Sequence, residues 1–223
     1  MARTLGIATI GQAPRDDIAD MFAAHAPPGT RVKLRGCLDD VSEAEIAARP
    51  PESGGDTLYT RLRGARDVKI SKRHVLEHAA ATLAKLRADG CDAIVFACTG
   101  DFPPMPGDEG VLFPSRILSG LAAGLLPAGR LGLLVPLPEQ IGKLTAKWVR
   151  PGVEIVAEAL TPSAGPDEAA AVARRLKAKA PAVVAMDCMS YSPALKAAVK
   201  SEIAVPTMLA VSATARVMRE LLD

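Results

Sequence analysis

Residues 92–100, DAIVFACTG, and residues 182–190, AVVAMDCMS, decide how this chain folds. Each opens as a short aliphatic run that is apolar at successive positions, the pattern of a strand covered on both faces of its sheet. Each then reaches a cysteine and passes into small or polar residues, where a turn belongs. Cys98 and Cys188 stand 90 positions apart. The echo reads as two similar halves, with a boundary near Pro127 to Arg130.

Outward from these stretches the same type of run recurs: LGIATI (5–10), RVKLRG (31–36), RLGLLVPL (130–137), EIVAEAL (154–160) and VPTMLA (205–210). Helices are expected between them, beginning near Asp16, Ser42, Ser71, Ser115, Pro138, Pro166, Ser192 and Ser212, with Ser42 and Glu45 forming a capping box. Strand and helix alternate in the manner of parallel βαβ units. The expected fold is α/β: two pseudo-symmetric Rossmann-like lobes with mainly parallel sheets flanked by helices, and a cleft between them. Residues 1–127 would form the N-terminal lobe and residues 128–211 the C-terminal lobe, with the last helix, 212–223, packing back on the first. Residues 56–72, DTLYTRLRGARDVKISK, break the rhythm, and alternation on both sides of Gly64 reads as a β-hairpin, either an edge hairpin or a flap.

Composition narrows the class. The chain has 223 residues, 49% hydrophobic and 23% charged, a globular balance that argues against disorder. Its formal net charge of +2 is interspersed, without the basic face that binds phosphate backbones, so nucleic acid is disfavoured. The longest uncharged apolar stretch, between Arg116 and Arg130, is too short and too broken by Gly and Pro for a membrane span. The N-terminus runs straight into a strand with no signal-peptide pattern, so a cytoplasmic location is expected. Four cysteines without C-x-x-C spacing argue against a disulfide framework or structural zinc. Neither a phosphate-binding glycine loop nor a G-x-S-x-G elbow occurs, so no cofactor and no metal is expected. His74, Glu77 and His78 do spell H-x-x-E-H, but on an amphipathic helix whose Val75, Leu76, Ala79, Leu83 and Leu86 would turn both histidines to solvent.

Chemistry is sought at the carboxyl ends of the strands, where loops and helix N-termini converge on a crevice. Cys98 and Cys188 both stand there. Singly, each is as readily a small buried hydrophobe; their matched positions point to a pair of thiols facing one cleft. The first strand ends at TIGQAPRDD, where Gly11 permits a tight turn and Arg15 lies at a helix start. Arg116, in LFPSRIL, occupies a similar place, and a cation at a helix N-terminus invites an anion. Asp16 or Asp17 could neutralise Arg15 instead. Thr99 and Gly100 after the first thiol, and Met189 and Ser190 after the second, offer N–H and hydroxyl donors for a carboxylate, although such residues also cap helices.

In TIGQAPRDD, GDTLYTRLRGARDVKISKR, LFPSRIL and DCMSYS, the chain resembles the AroM family over nearly its whole length. That family is similar to the aspartate/glutamate/hydantoin racemase superfamily. The resemblance implies two pseudo-symmetric lobes, each supplying a catalytic cysteine, here Cys98 and Cys188. Amino-acid racemases of that superfamily usually place Asn-Thr after the first thiol and Thr-His after the second, where this chain has Thr99-Gly100 and Met189-Ser190. The substrate cradle therefore departs from the usual one.

These readings converge on a cofactor-independent racemase or epimerase type of isomerase, moving a proton through cysteine on a small carboxylate or hydantoin-like compound. Cys98 and Cys188 would alternate as base and acid, lowered in pKa by a following helix and by Arg15 or Arg116, while Gly11, Gln12, Thr99 and Ser190 hold the enolate. Alternatives are a decarboxylase or lyase using a single cysteine, a non-catalytic binder of small ligands, and a reversible disulfide between the two thiols. The partner in every case is a small anionic molecule; homo-oligomer formation stays open.

Overall fold

The computed structural model describes residues 3–142 and 147–223. Strand β1 (Thr4–Thr9) pairs in parallel with β2 (Arg31–Gly36) on one side and β5 (Ala93–Phe96) on the other, giving a sheet in the order β2-β1-β5. Strand β6 (Gly129–Val135) is the centre of a second parallel sheet, with β7 (Val153–Ala159) on one side and β8 (Val183–Met186), then β9 (Thr207–Leu209), on the other. The two sheets repeat one topology. In each, the first strand of the half lies between the next two, so its neighbours depart in opposite directions and leave a crevice at the carboxyl end.

The correspondence extends further. Leu112 bridges to Val95 in parallel, just before helix α4 (Pro114–Leu125), as β9 flanks β8 just before helix α7 (Ala210–Leu222). Helices α4 and α7 pack against one another, and α7 also meets helix α1 (Asp16–Ala23) and β5. Leu5, Ile7, Ile18, Phe22, Leu118, Ala122, Ala215 and Met218 thus join the interior of β6 and β8 in a single apolar cluster. The opposite face of the first sheet is closed by helix α3 (Lys72–Ala88), whose Val75, Ala79, Leu83 and Leu86 pack with Ala8, Ile94 and Phe96. Apolar runs on both faces are therefore used on both faces.

Several boundaries differ from the sequence expectation. Helix α2 (Glu43–Ala48) carries the predicted Ser42 and Glu45 capping box. Helix α1 begins at the predicted Asp16, with Arg15 as its N-cap residue. At Pro138 the expected helix opens as a 3-10 turn, Pro138–Gln140, Ile141 and Gly142 are helical, and residues 143–146 lie outside the described residues. Helix α5 (Pro166–Ala178) and helix α6 (Pro193–Glu202) start at the predicted Pro166 and just after Ser192.

The insertion is an antiparallel hairpin, β3 (Thr57–Arg61) with β4 (Asp67–Ser71), in register Thr57 to Ser71. Gly64 turns it at a φ of 73°, a left-handed conformation that glycine adopts without steric cost. Leu58, Leu62 and Ile70 bury into the cluster beneath α3, so the hairpin is anchored rather than edge-bound and loose. Gln140 Nε2 donates to Thr57 O at 2.9 Å, tying the hairpin to the second half.

Candidate active site

Each cysteine stands two residues beyond its strand, because the ladder ends the same way in both halves. Ala97 N–H donates to Ala8 O and Asp187 N–H to Leu134 O, and the chain then turns away at Cys98 and Cys188. Both thiols line one cavity of about 400 Å³. The hairpin contributes Leu58, Tyr59 and Thr60 to its wall, the first loop contributes Ile10 and Arg15, and the second half contributes Gln140 and Lys147.

Of the residues expected from sequence, Arg15, Cys98, Thr99, Gly100, Cys188, Met189 and Ser190 share this cavity. Three do not line it. Arg116 is exposed, with its guanidinium 4.3 Å from the Phe113 ring centroid and 3.8 Å from Asp108, so the cation expected to need an anion already has its partners. Gln12 is buried, but its Nε2 donates to Leu38 O at 3.1 Å and Val41 O at 2.9 Å, bracing a loop. Gly11 holds a contact: a Cβ there would lie 2.5 Å from Arg61 O, so the glycine lets the hairpin settle on the first strand.

Arg15 is only 3% exposed, and it meets Asp17 in a bidentate pair with both N–O distances 2.9 Å. Burial raises the Asp17 pKa, but the hydrogen bonds and charge of Arg15, with Arg61 beyond, outweigh it and hold the carboxyl below its usual range. Arg15 also donates to Ser190 Oγ at 3.3 Å, which joins the two halves, and the Ser190 hydroxyl in turn can donate to Cys188 or to a ligand. Lys72, at the start of α3, lines the cavity with Asp101 O as its hydrogen-bond partner at 3.3 Å and no carboxylate bonded to it in the described residues.

The thiols do not match the low pKa expected for them. Burial pushes Cys98 up to about 11 and Cys188 up to about 12. Gly100 N–H donates to Cys98 Sγ at 3.3 Å and, with Lys147 and Lys72, opposes that rise without cancelling it. No helix follows Cys98 directly, since α4 begins only at Pro114. The expected field of a helix N-terminus is therefore missing at that thiol.

A polar cluster that lines the cavity beside the thiols was not read from the sequence. Asp187, fully buried, receives Lys147 Nζ at 2.8 and 3.0 Å on its two oxygens and Trp148 Nε1 at 3.0 Å. Lys147 also donates to Thr99 O, and Thr99 Oγ1 donates to Asp187 O at 3.0 Å. Two signals were available: an aspartate closing an otherwise apolar strand needs a partner if buried, and the single tryptophan carries an N–H that does too.

His74, Glu77 and His78 lie outside the cavity. His74 is buried rather than turned to solvent, Glu77 is paired with Arg49 at 2.5 Å, and the three bring ligand atoms within 4.8 Å of one another. Burial first, then the Arg49 and His78 charges, holds His74 below its usual pKa. No helix among the described residues is long and apolar enough to cross a membrane.

Two half-sheets of one topology, each ending in a cysteine turn, make a two-lobed α/β fold that solved structures share. The chain is similar in structure to arylmalonate decarboxylase, at 12% identity and TM-score 0.67 over 100% of this chain and 93% of that one. It is similar to the maleate isomerase Iso from Pseudomonas putida S16, at 12% identity and TM-score 0.65 over 100% and 94%. It is also similar to glutamate racemase from Francisella tularensis in complex with D-glutamate, at 15% identity and TM-score 0.59 over 99% and 81%. No curated protein matches it in sequence. The chain belongs to the AroM family: the family's model, described as AroM protein, matches residues 5–222.

Proposed function

We propose that this protein is a cofactor-independent isomerase of the racemase or epimerase type, which moves a proton at the carbon beside a carboxylate or carbonyl of a small carboxylate or hydantoin-like compound. The observation that carries this reading is that two thiols, one from each half, line a single cavity. In the reaction, the thiolate of one cysteine takes the proton from one face of the carbon. The C–H electron pair moves into the adjacent carbonyl as an enolate. The thiol of the other cysteine then returns a proton to the opposite face and is left as the thiolate.

Ser190 and Lys72, with Arg15 behind the serine, would hold the carboxylate oxygens where charge develops. At neutral pH, ionising a thiol held near 11 costs about 5 kcal/mol, so binding must supply the driving force. A carboxylate that takes up the Lys72 charge beside Cys98 would itself oppose ionisation, so that energy must come from contacts away from the thiol.

The test is proton exchange in deuterated water over a panel of small carboxylates and hydantoins, followed at the carbon by NMR. Exchange should appear with one or more of them. Cys98→Ala and Cys188→Ala should each lower it by about 10²- to 10⁴-fold. No exchange on any compound, with both thiols still open to alkylation, would sink the proposal. Release of CO₂ that survives Cys98→Ala and fails in Cys188→Ala would replace it with a lyase. Ligand-induced thermal stabilisation without turnover would replace it with a binding protein.

A further inference from the structure

The Lys147–Asp187 pair lies between the two cysteine turns with its ends in opposite places. Its cation is hydrogen-bonded to the carbonyl of Thr99, the residue after Cys98. Its anion is the residue before Cys188, fully buried and held by the Trp148 indole N–H. Lys147 is 10% exposed at its side chain, so water screens the pair little. A buried ion pair of this kind is a fixed dipole.

We propose that this dipole assigns unequal roles to the two thiols, Lys147 making Cys98 the one that ionises first and Asp187 keeping Cys188 the proton donor. Lys147 is on this account a positioning residue, whose charge acts on Cys98 through the Thr99 turn. The inference rests on the two-thiol reading above and deepens it, since a racemase whose two thiols ionise unequally takes a proton more readily from one face of the carbon.

The charged groups facing each thiol favour the same order. Around Cys98 are Lys147 and Lys72, set against Asp187, with the Gly100 N–H on the sulfur. Around Cys188 are Asp187 and Cys98, both opposing ionisation, with Ser190 supplying a hydrogen bond in its favour. Tyr59 and Tyr191 also face Cys188 as neutral phenols, both pushed up first by burial. On the cationic side Arg15 reaches Ser190, and Asp17 neutralises it. Burial lifts both thiols, so the order between them is set by the charges and hydrogen bonds around each.

The experiment is alkylation of the full chain with iodoacetamide over a range of pH, each cysteine peptide being quantified by mass spectrometry. Cys91 serves as the partly exposed internal reference. Cys98 should react measurably ahead of Cys188 at every pH where both are still thiols. Lys147→Met should move the Cys98 profile to higher pH and erase the order, while Lys147→Arg keeps it. Equal profiles in the wild type, a lead by Cys188, or an unmoved Cys98 profile in folded Lys147→Met would each overturn the inference. Should Lys147→Met not fold, the wild-type order and the Lys147→Arg profile still decide it. Alkylation needs no substrate, so failed proton exchange with an intact order counts against the isomerase reading alone, and exchange with equal thiols counts against the dipole alone.

Discussion

At Arg15 a buried guanidinium would be expected to hold an anionic ligand, yet its fork is already filled by Asp17. The consequence is testable in stability. Asp17→Asn keeps one acceptor oxygen for Arg15 but removes the charge and turns an NH2 toward the guanidinium, a loss of about 1–3 kcal/mol by chemical denaturation. The Asp17 pKa is depressed in the fold, so its contribution is fully present above the ordinary value of 3.8 and is lost as pH falls through the lower folded value. The gap between wild type and Asp17→Asn should therefore narrow below about pH 4. A gap that stays constant to pH 2 would show that the pair does not couple to folding. Single residues were unevenly legible in the sequence. Cys98 and Cys188 could be placed because a strand-end cysteine is a local pattern, whereas Lys147 reaches Asp187 only through a loop with no motif, and Arg116 was misplaced because Asp108 and Phe113 pair with it only in three dimensions.

Among the elements, the hairpin is where sequence and structure inform each other most. Alternation around Gly64 marked its two strands correctly, and the paired register Thr57 to Ser71 follows from a turn at that glycine. Its anchoring was not legible, since the contact depends on Gly11, 50 residues away from Arg61 in the chain. Gly11→Ala would put a Cβ at 2.5 Å from backbone that cannot rotate aside, so the hairpin must shift, at a cost of about 1–3 kcal/mol. Thermal denaturation of Gly11→Ala checks this, and an unchanged midpoint would refute it. The seam toward the second half carries unmatched groups: Gln140 Oε1 and Thr60 Oγ1 are buried without a hydrogen-bond partner among the described residues. Orphaned polar atoms favour rearrangement once a ligand offers them partners. A bound ligand should therefore slow amide exchange across residues 57–71, and exchange unchanged at saturation would leave the hairpin a static wall.

For the whole molecule, the repeat of one half-sheet topology explains why the fold was readable from two nine-residue stretches. Each half ends its third strand at the same step of the ladder, so two similar sequences deliver two thiols to one cavity. What the repeat also does is bury sulfur. Burial raises all four cysteines, Cys37 to about 12, Cys98 to about 11, Cys188 to about 12, and Cys91 above its ordinary value. A pKa raised by folding means the folded chain holds its protons longer than the unfolded chain, so the favourable term is complete below the unfolded value near 9 and disappears as pH rises toward the folded values. A tenfold difference in proton affinity between the two states corresponds to about 1.4 kcal/mol, so three deeply buried thiols together take roughly several kcal/mol from stability by about pH 11. The melting temperature should accordingly hold steady from about pH 6 to 8 and fall steeply above about pH 9. Cys37→Ala removes one of these thiols outside the cavity, and its decline in the same alkaline range should be shallower than that of the wild type. Identical alkaline slopes in the two proteins would mean that the unfolding is driven by lysine and tyrosine titration instead, leaving the buried thiols without the energetic weight assigned to them.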